Sequence, residues 1–264
     1  MVKIIITGVC GKVGSTILNL ALNDKDFDVV GTLEAKTHPL IGKKIGSSED
    51  KSVNKLYIEG DLSNIINKCD VVIDFTEPKA SLEYFRLALK NKKAIVIGTT
   101  GLSESTLTEI NETCDSRVVI SPNMSIGMNL MFQTVEMLSK IMKDDYDIEI
   151  VEMHHKMKKD APSGTAEKLK DIIEASEPAR NWIETFGRKG IIGERKKEEL
   201  GILSLRGGDV VGEHTVMFAG VGERLEITHR AYSRENFARG ALLAAKWLNN
   251  QAPGIYSMKD VLGI

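Results

Sequence analysis

The sequence predicts an α/β chain: a Rossmann-type doubly wound parallel sheet, followed by a second α+β domain with a mostly antiparallel or mixed open sheet. Three observations carry this. Short, wholly apolar runs alternate with helical patterns through the first half, as in parallel strands joined by crossover helices and covered on both faces. A glycine-rich loop separates the first strand from the first helix. Beyond residue 143 the runs become alternations of polar and apolar residues, which suit half-exposed strands.

In order, the predicted strands of the first half cover 3–7, 28–33, 70–75, 94–97 and 117–120, with helices over 12–23, 79–91 and 103–113 between them. Met128, Met131, Phe132, Val135, Leu138 and Met142 recur at helical spacing and predict one long helix over 127–143, its methionines packed in the core. Strands over 147–153, 202–205, 214–218 and 224–229 follow, then a closing helix over 234–249 with Phe237, Ala241, Ala244, Ala245 and Leu248 on one face. The glycine- and charge-rich stretch 187–200 is expected to be a mobile surface loop.

Composition narrows the function classes. Lys+Arg 35 against Asp+Glu 37 gives a formal charge of -2, so no global positive field exists to hold nucleic acid or an anionic membrane. The three cysteines, Cys10, Cys69 and Cys114, lie far apart with no CxxC pair, which supports neither a disulfide framework nor a cysteine zinc site and suits a reducing cytoplasm. Apolar runs such as Val71-Val72-Ile73 are strand-sized, far short of the roughly 20 residues of a membrane helix. The apolar opening Met1–Ile6 is interrupted by lysine and glycine before any cleavage-like site. A cytoplasmic location is expected.

The loop Gly8-Val9-Cys10-Gly11-Lys12-Val13-Gly14 follows the first predicted strand and opens the first helix. Glycines there permit a tight turn and close approach of backbone to a pyrophosphate, which the helix N-terminus then attracts. Glu34 ends the second strand about 20 residues after the last glycine, where an acid accepts the adenine ribose hydroxyls. Glu34 would repel a 2′-phosphate, favouring NADH, whereas Lys36 could neutralise one; NADH or dual use with NADPH is expected. Further strand ends should line the same crevice. Phe75-Thr76-Glu77-Pro78, Gly98-Thr99-Thr100-Gly101 and Ser121-Pro122-Asn123-Met124 occupy them, the second suiting the nicotinamide side of the cofactor.

The segment from Glu152 to Ala166 concentrates His154, His155, Lys156, Lys158 and Lys159 where a strand ends. His154 and His155 serve one pocket only if the strand breaks between them. With Ser163 as N-cap of the next helix, Ala166 stands where a capping box would place Glu, leaving amides for an anion. Basic side chains beside an open helix start make a carboxylate or phosphate site. No HExxH is present and no third ligand lies nearby, so no metal is expected. An imidazole, titrating near ~6.5 and raised by a bound dianion, suits proton donation.

The run His154-His155-x-x-Lys158-x-Asp160-Ala161-Pro162-Ser163-Gly164-Thr165-Ala166 resembles the signature of the 4-hydroxy-tetrahydrodipicolinate (dihydrodipicolinate) reductases. The resemblance takes in the Gly8–Gly14 loop, Gly98–Gly101, Ser121–Gly127, Arg206-Gly207-Gly208, Gly212-Glu213-His214, Gly222–Leu225, His229–Ala231 and Ser233-Arg234, nearly the whole chain. It implies a cytoplasmic enzyme of lysine and diaminopimelate synthesis that reduces a cyclic dicarboxylate with NAD(P)H, a homotetramer assembled through the second domain's sheet. It further implies a dinucleotide-binding domain over 1–126 and 236–264 and a substrate-binding and oligomerisation domain over 127–235. By position, His154 would be the acid/base and Lys158 the proton donor, while His155, Gly164 and Thr165 would hold the substrate carboxylate. Cofactor contacts would fall on Gly8, Val9, Cys10, Gly11, Lys12, Val13, Glu34, Gly98, Thr99, Thr100, Ser121, Pro122, Asn123 and Met124. Lys12 and Val13 stand where arginine and methionine are common, Cys10 replaces a smaller residue, and Ala35 stands where an arginine often follows the acid, which weakens a strict NADPH preference. A sugar- or polyol-type dehydrogenase of similar build, hinted at by Thr76-Glu77-Pro78-Lys79, and a non-catalytic NADH-binding redox sensor remain as alternatives; the first would not need paired histidines beside a dicarboxylate-sized basic pocket, and the second needs the glycine loop but no proton donor such as His154 with Lys158.

Overall fold

The structure, a computed structural model, describes residues 1–45, 56–112 and 115–264; Cys114 and the last position of the expected 103–113 helix lie outside the described residues. Along the chain run β1 (Val2–Thr7), α1 (Lys12–Leu22), β2 (Phe27–Leu33), β3 (Ile58–Glu59), β4 (Val71–Asp74), α2 (Pro78–Lys90), β5 (Ala94–Ile97), α3 (Glu104–Asn111), β6 (Arg117–Ile120) and α4 (Ile126–Met142). Next come β7 (Asp147–His154), α5 (Gly164–Ser176), β8 (Ile183–Thr185), β9 (Glu199–Arg206), β10 (Gly212–Gly220) and β11 (Glu223–Ala231). The chain closes with α6 (Glu235–Leu248), β12 (Gly254–Tyr256) and α7 (Met258–Leu262). Two compact units result, Met1–Ile126 with Arg234–Ile264, and Gly127–Ser233.

The first unit holds a seven-stranded sheet in the order β12-β6-β5-β4-β1-β2-β3, every pair parallel. Its apolar strands are dry on both faces. Ile4, Ile6, Ile73 and Val96 pack with Ile17, Ala241, Leu248 and Val261 from α1, α6 and α7. Ile5, Val72, Ile95 and Ile97 point the other way, onto Phe85, Ala88 and Ile110 of α2 and α3. Sequence order reverses between β1 and β4, the switch point beyond whose carboxyl ends ligands of such sheets bind.

In the second unit the sheet order is β11-β10-β7-β9-β8, antiparallel from β11 to β7 and parallel from β7 to β8. Ile148, Ile150, Ile202, Val216 and Phe218 face Met131, Val135, Leu169 and Ile173 of α4 and α5. On that same face the register then changes character: the row Ser204, Glu152, His214, His229 crosses β9, β7, β10 and β11 as a polar band. Three-residue β8 and β12 carry no periodicity to find. The segment expected to be a mobile surface loop over 187–200 is exposed along most of its length before β9, but two of its arginines are held in ion pairs. Arg188 pairs with Glu149 and Glu199 at 2.8 and 2.9 Å, Arg195 pairs with Asp147 at 2.6 Å, and Glu199 already belongs to β9.

Phe218 is fully buried at the centre of the second core. Phe218→Ala is expected to destabilise that unit by ~3–5 kcal/mol, measured by urea unfolding followed through Trp182; a loss under ~1 kcal/mol would contradict this packing.

Candidate active site

In the first unit β1 runs into Gly8 at φ +63, the left-handed conformation that favours glycine. The amide of Gly11 donates back to the Gly8 carbonyl at 2.9 Å. A Cβ on Gly14 would fall 2.1 Å from that same carbonyl oxygen, so only glycine lets α1 approach the loop this closely. Gly11 caps α1 without any side-chain hydrogen bond, and its backbone lines two cavities. One, of about 490 Å³, is bounded by Gly11, Lys12, Val13, Phe75, Thr76, Gly98, Thr99, Thr100, Pro122, Met124 and Phe237. The other, of about 340 Å³, is bounded by Gly8, Gly11, Glu34, Ala35, Phe75, Thr76, Glu77, Ala80 and Tyr84. Together they suit a long ligand laid across the loop, with a planar group at one end and an acid, Glu34, at the other.

Most of the cofactor residues expected from sequence therefore meet around these cavities. Val9 is buried in the core instead. The Cys10 amide donates to Glu34 Oε2 at 2.9 Å, and burial and that carboxylate push the Cys10 thiol up. Ser121 Oγ donates to the Asn123 carbonyl at 2.8 Å, shaping the turn rather than lining either cavity. Glu34 also accepts from the Ala35 amide at 3.0 Å. Lys36, the expected neutraliser of a 2′-phosphate, pairs with Asp61 at 3.3 Å and lines neither cavity, because β3 and the turn after it bring Asp61 alongside.

Sequence reasoning assigned nothing to Asp74, which ends β4 at 0% exposure. It accepts hydroxyl bonds from Thr7 at 2.6 Å, Thr76 at 2.7 Å and Thr99 at 2.9 Å, and also from Ser81. The ends of β1, β4 and β5 are thereby laced together beneath the cavities. A lone charge ending an apolar strand was the available signal.

In the second unit His154 ends β7, and its Nδ1 meets Glu152 Oε2 at 2.6 Å. Arg206, the cross-strand neighbour of His154, grips both oxygens of Glu152 at 2.9 and 2.8 Å. Burial pushes the Glu152 carboxyl up, but hydrogen bonds from His154, Arg206 and Ser204 outweigh it and hold the group at about 2. Ser163 is the N-cap foreseen: its Oγ accepts from the Ala166 amide at 3.2 Å and meets His214 Nε2 at 3.1 Å. His214 lies edge-on to His154, ring centroids 5.2 Å apart. Burial first, then the charge of His154, pushes His214 down to about 3, so it is neutral at physiological pH.

The strand does break after His154. His155 follows outside it, its amide bonded to the Val210 carbonyl at 2.8 Å and its Nδ1 buried with no hydrogen-bond partner. Lys158 ion-pairs with Asp160 at 2.7 Å and is near enough to contribute to the lowering of His214. Gly164 opens α5 beside them, and a Cβ there would meet nothing within 4 Å. An imidazole, an ammonium and a helix that starts on glycine can protonate and hold an anionic ligand. Among the described residues no group of three His, Cys, Asp or Glu side chains is placed to hold a metal ion, and no helix is long and apolar enough to cross a membrane.

Comparison with known proteins covers both units. The family model "Dihydrodipicolinate reductase, N-terminus" matches residues 2–124, and "Dihydrodipicolinate reductase, C-terminus" matches 127–262. The chain is similar to the 4-hydroxy-tetrahydrodipicolinate reductases of Syntrophus aciditrophicus, 46% identical over 265 residues (100% of this chain, 99% of that one), and of Aquifex aeolicus, 45% identical over 272 residues (100% and 99%). Its fold is similar to that of dipicolinate-bound dihydrodipicolinate reductase from Paenisporosarcina sp. TG-14, with a TM-score of 0.81 at 24% identity over 98% of this chain and 99% of that one. An amine dehydrogenase from Mycobacterium smegmatis shares the fold at TM-score 0.65 and 9% identity over 97% and 95%, so the architecture alone does not select a substrate. With both halves matched and near-half identity along its full length, the chain belongs to the dihydrodipicolinate reductase family.

Proposed function

We propose that this protein reduces 4-hydroxy-tetrahydrodipicolinate to tetrahydrodipicolinate, with NADH as the preferred reductant, in the synthesis of diaminopimelate and lysine. The observation that carries the reading is the convergence of His154, Lys158 and the Gly164 helix start at one end of the second sheet, a proton donor beside a dianion cradle. In the overall reaction the ring loses water and gains a hydride and a proton. The nicotinamide, when bound, supplies the hydride. His154 gives its Nε2 proton to the ring as negative charge develops there, which lowers the barrier by neutralising that charge. Lys158 replaces Asp160 by the substrate as its counter-charge and supports proton transfer. His155, Gly164 and Thr165 hold a ring carboxylate. The glycine loop, Glu34, Gly98–Thr100 and the turn at Ser121–Met124 hold the cofactor. A sugar or polyol substrate has no use for a dianion cradle, and a sensor has none for a proton donor.

NADH preference is supported by the 340 Å³ cavity, where Glu34 and Glu77 would both face a 2′-phosphate and Lys36 is not among the lining residues. A homotetramer is supported by the second sheet's other face. There Val151, Met153, Leu203, Thr215 and Met217 stand half-buried and Leu205 is 50% exposed, and no helix of the described residues in that unit covers them.

Three outcomes are expected. With freshly generated synthase product, wild-type protein oxidises NADH, and His154→Ala and Lys158→Ala lower kcat by ~10²–10⁴-fold with NADH binding retained; normal turnover in the double variant would remove the assignment. The ratio of kcat/KM for NADH over NADPH stays within twofold in Lys36→Ala and falls roughly tenfold in Glu34→Gln, about 1.4 kcal/mol of repulsion removed; the reverse pattern would contradict the cofactor reading. Sedimentation gives a tetramer for wild type and smaller species for Leu205→Asp; an unchanged tetramer would exclude this face.

A further inference from the structure

One carboxylate touches both halves of the second unit's polar end. Glu152 is 0% exposed. Its Oε2 meets His154 Nδ1 at 2.6 Å, and its Oε1 accepts from the Ser163 amide at 3.2 Å, directly before the start of α5. Arg206 fixes the carboxylate in plane through both oxygens and is itself held by the carbonyls of Leu205 at 2.6 Å and Asp160 at 2.7 Å. The other nitrogen of His154, Nε2, faces Gly212, where an added Cβ would lie only 3.0 Å away. A side chain at 212 would press on that nitrogen, which glycine avoids, while Nδ1 is sealed by Glu152.

The geometry points to Glu152 as the positioning residue of this enzyme: it selects the His154 nitrogen that exchanges protons and ties that nitrogen to the same frame as the carboxylate cradle at Gly164. The inference rests on the reading of His154 as the acid. The bond that one ring nitrogen makes decides which nitrogen carries the mobile proton. With Nδ1–H donated to Glu152, the imidazolium loses its proton from Nε2 to the ring that has gained a hydride, and the neutral imidazole then takes one from water. Glu152 stays ionised throughout and counters the positive imidazolium before the transfer. The other charged or titratable groups around His154 are Arg206 on β9, neutral His214 on β10, His229 beside it on β11, and Lys158 with Asp160 on the following loop. The Glu152 carboxylate is the group seated on the ring's Nδ1, at 2.6 Å.

Glu152→Gln tests this, because the amide keeps the shape and can still accept from Ser163 but offers no anion to Nδ1. Measured with the synthase product and NADH across pH, Glu152→Gln is expected to lower kcat ~10²-fold at neutral pH. KM should stay within about threefold, and the alkaline limb of the kcat profile should move to lower pH. Glu152→Asp, which retains the anion, should recover part of both. Wild-type kcat and an unmoved limb in Glu152→Gln, with His154→Ala inactive, overturns the role of Glu152 alone. Full activity in His154→Ala overturns the acid assignment and this inference with it. Should Glu152→Gln not fold, ¹⁵N-histidine NMR of the wild-type protein decides, with the His154 signals identified by their loss in His154→Gln. A neutral His154 protonated at Nδ1 supports the inference, and one protonated at Nε2 with a bare Nδ1 overturns it.

Discussion

An ionised carboxylate with no access to water is expensive unless cations and donors meet it on every side, and Glu152 is met in that way. Arg206 cancels its charge, His154 and the Ser163 amide take up its remaining lone pairs, and each of those partners has a further task. Removing any one partner would leave the buried Glu152 carboxylate short of a donor or a counter-charge. The last turn of β7, the end of β9 and the start of α5 are therefore held in one arrangement. This is also why the sheet face changes from isoleucine, valine and phenylalanine to a polar band within one register step: the carboxylate needs donors around it, and Ser204, His154 and His214 gather there.

The first unit meets a similar demand differently. Asp74 is equally buried but is surrounded by hydroxyls from Thr7, Thr76, Ser81 and Thr99. A carboxylate can only accept, so each hydroxyl must turn its hydrogen inward, and the oxygens of Thr76 and Thr99 are oriented where they border the cavities. The same chain thus uses one buried carboxyl group to fix a histidine ring and another to orient hydroxyls. At the far cavity Glu34 is left for the ligand on its open side while its oxygens also order the loop through Cys10 and Ala35.

Much of this was legible in the residues themselves. Runs such as Val71-Val72-Ile73 state that a strand is covered on both faces, and Gly8–Gly14 followed by Glu34 states what lies at its end. The His154–Ala166 run offered the proposed acid and anion cradle, and Ser163 caps α5 as expected. What was not legible depends on pairing across distance. Glu152 falls in phase with Ile148 and Ile150, which marks it as inward-facing, but its partner Arg206 lies 54 residues away on a strand whose register no local pattern sets. Lys36 looked available beside Glu34 because Asp61 reaches it only through the parallel pairing of β2 with β3. The ion pairs of the 187–200 stretch were not legible for a similar reason: its charges read as solvent-facing until Glu149 and Asp147 are seen beside Arg188 and Arg195.

The account turns on where a planar dianion binds within the second unit. The most direct measurement is a crystal structure with reduced cofactor and pyridine-2,6-dicarboxylate. The account predicts one carboxylate on the amides at Gly164 and Thr165 and the ring within hydrogen-bonding reach of His154 Nε2, with Nδ1 still on Glu152. A dianion bound away from α5, or a His154 ring turned from Glu152 toward solvent, would contradict it.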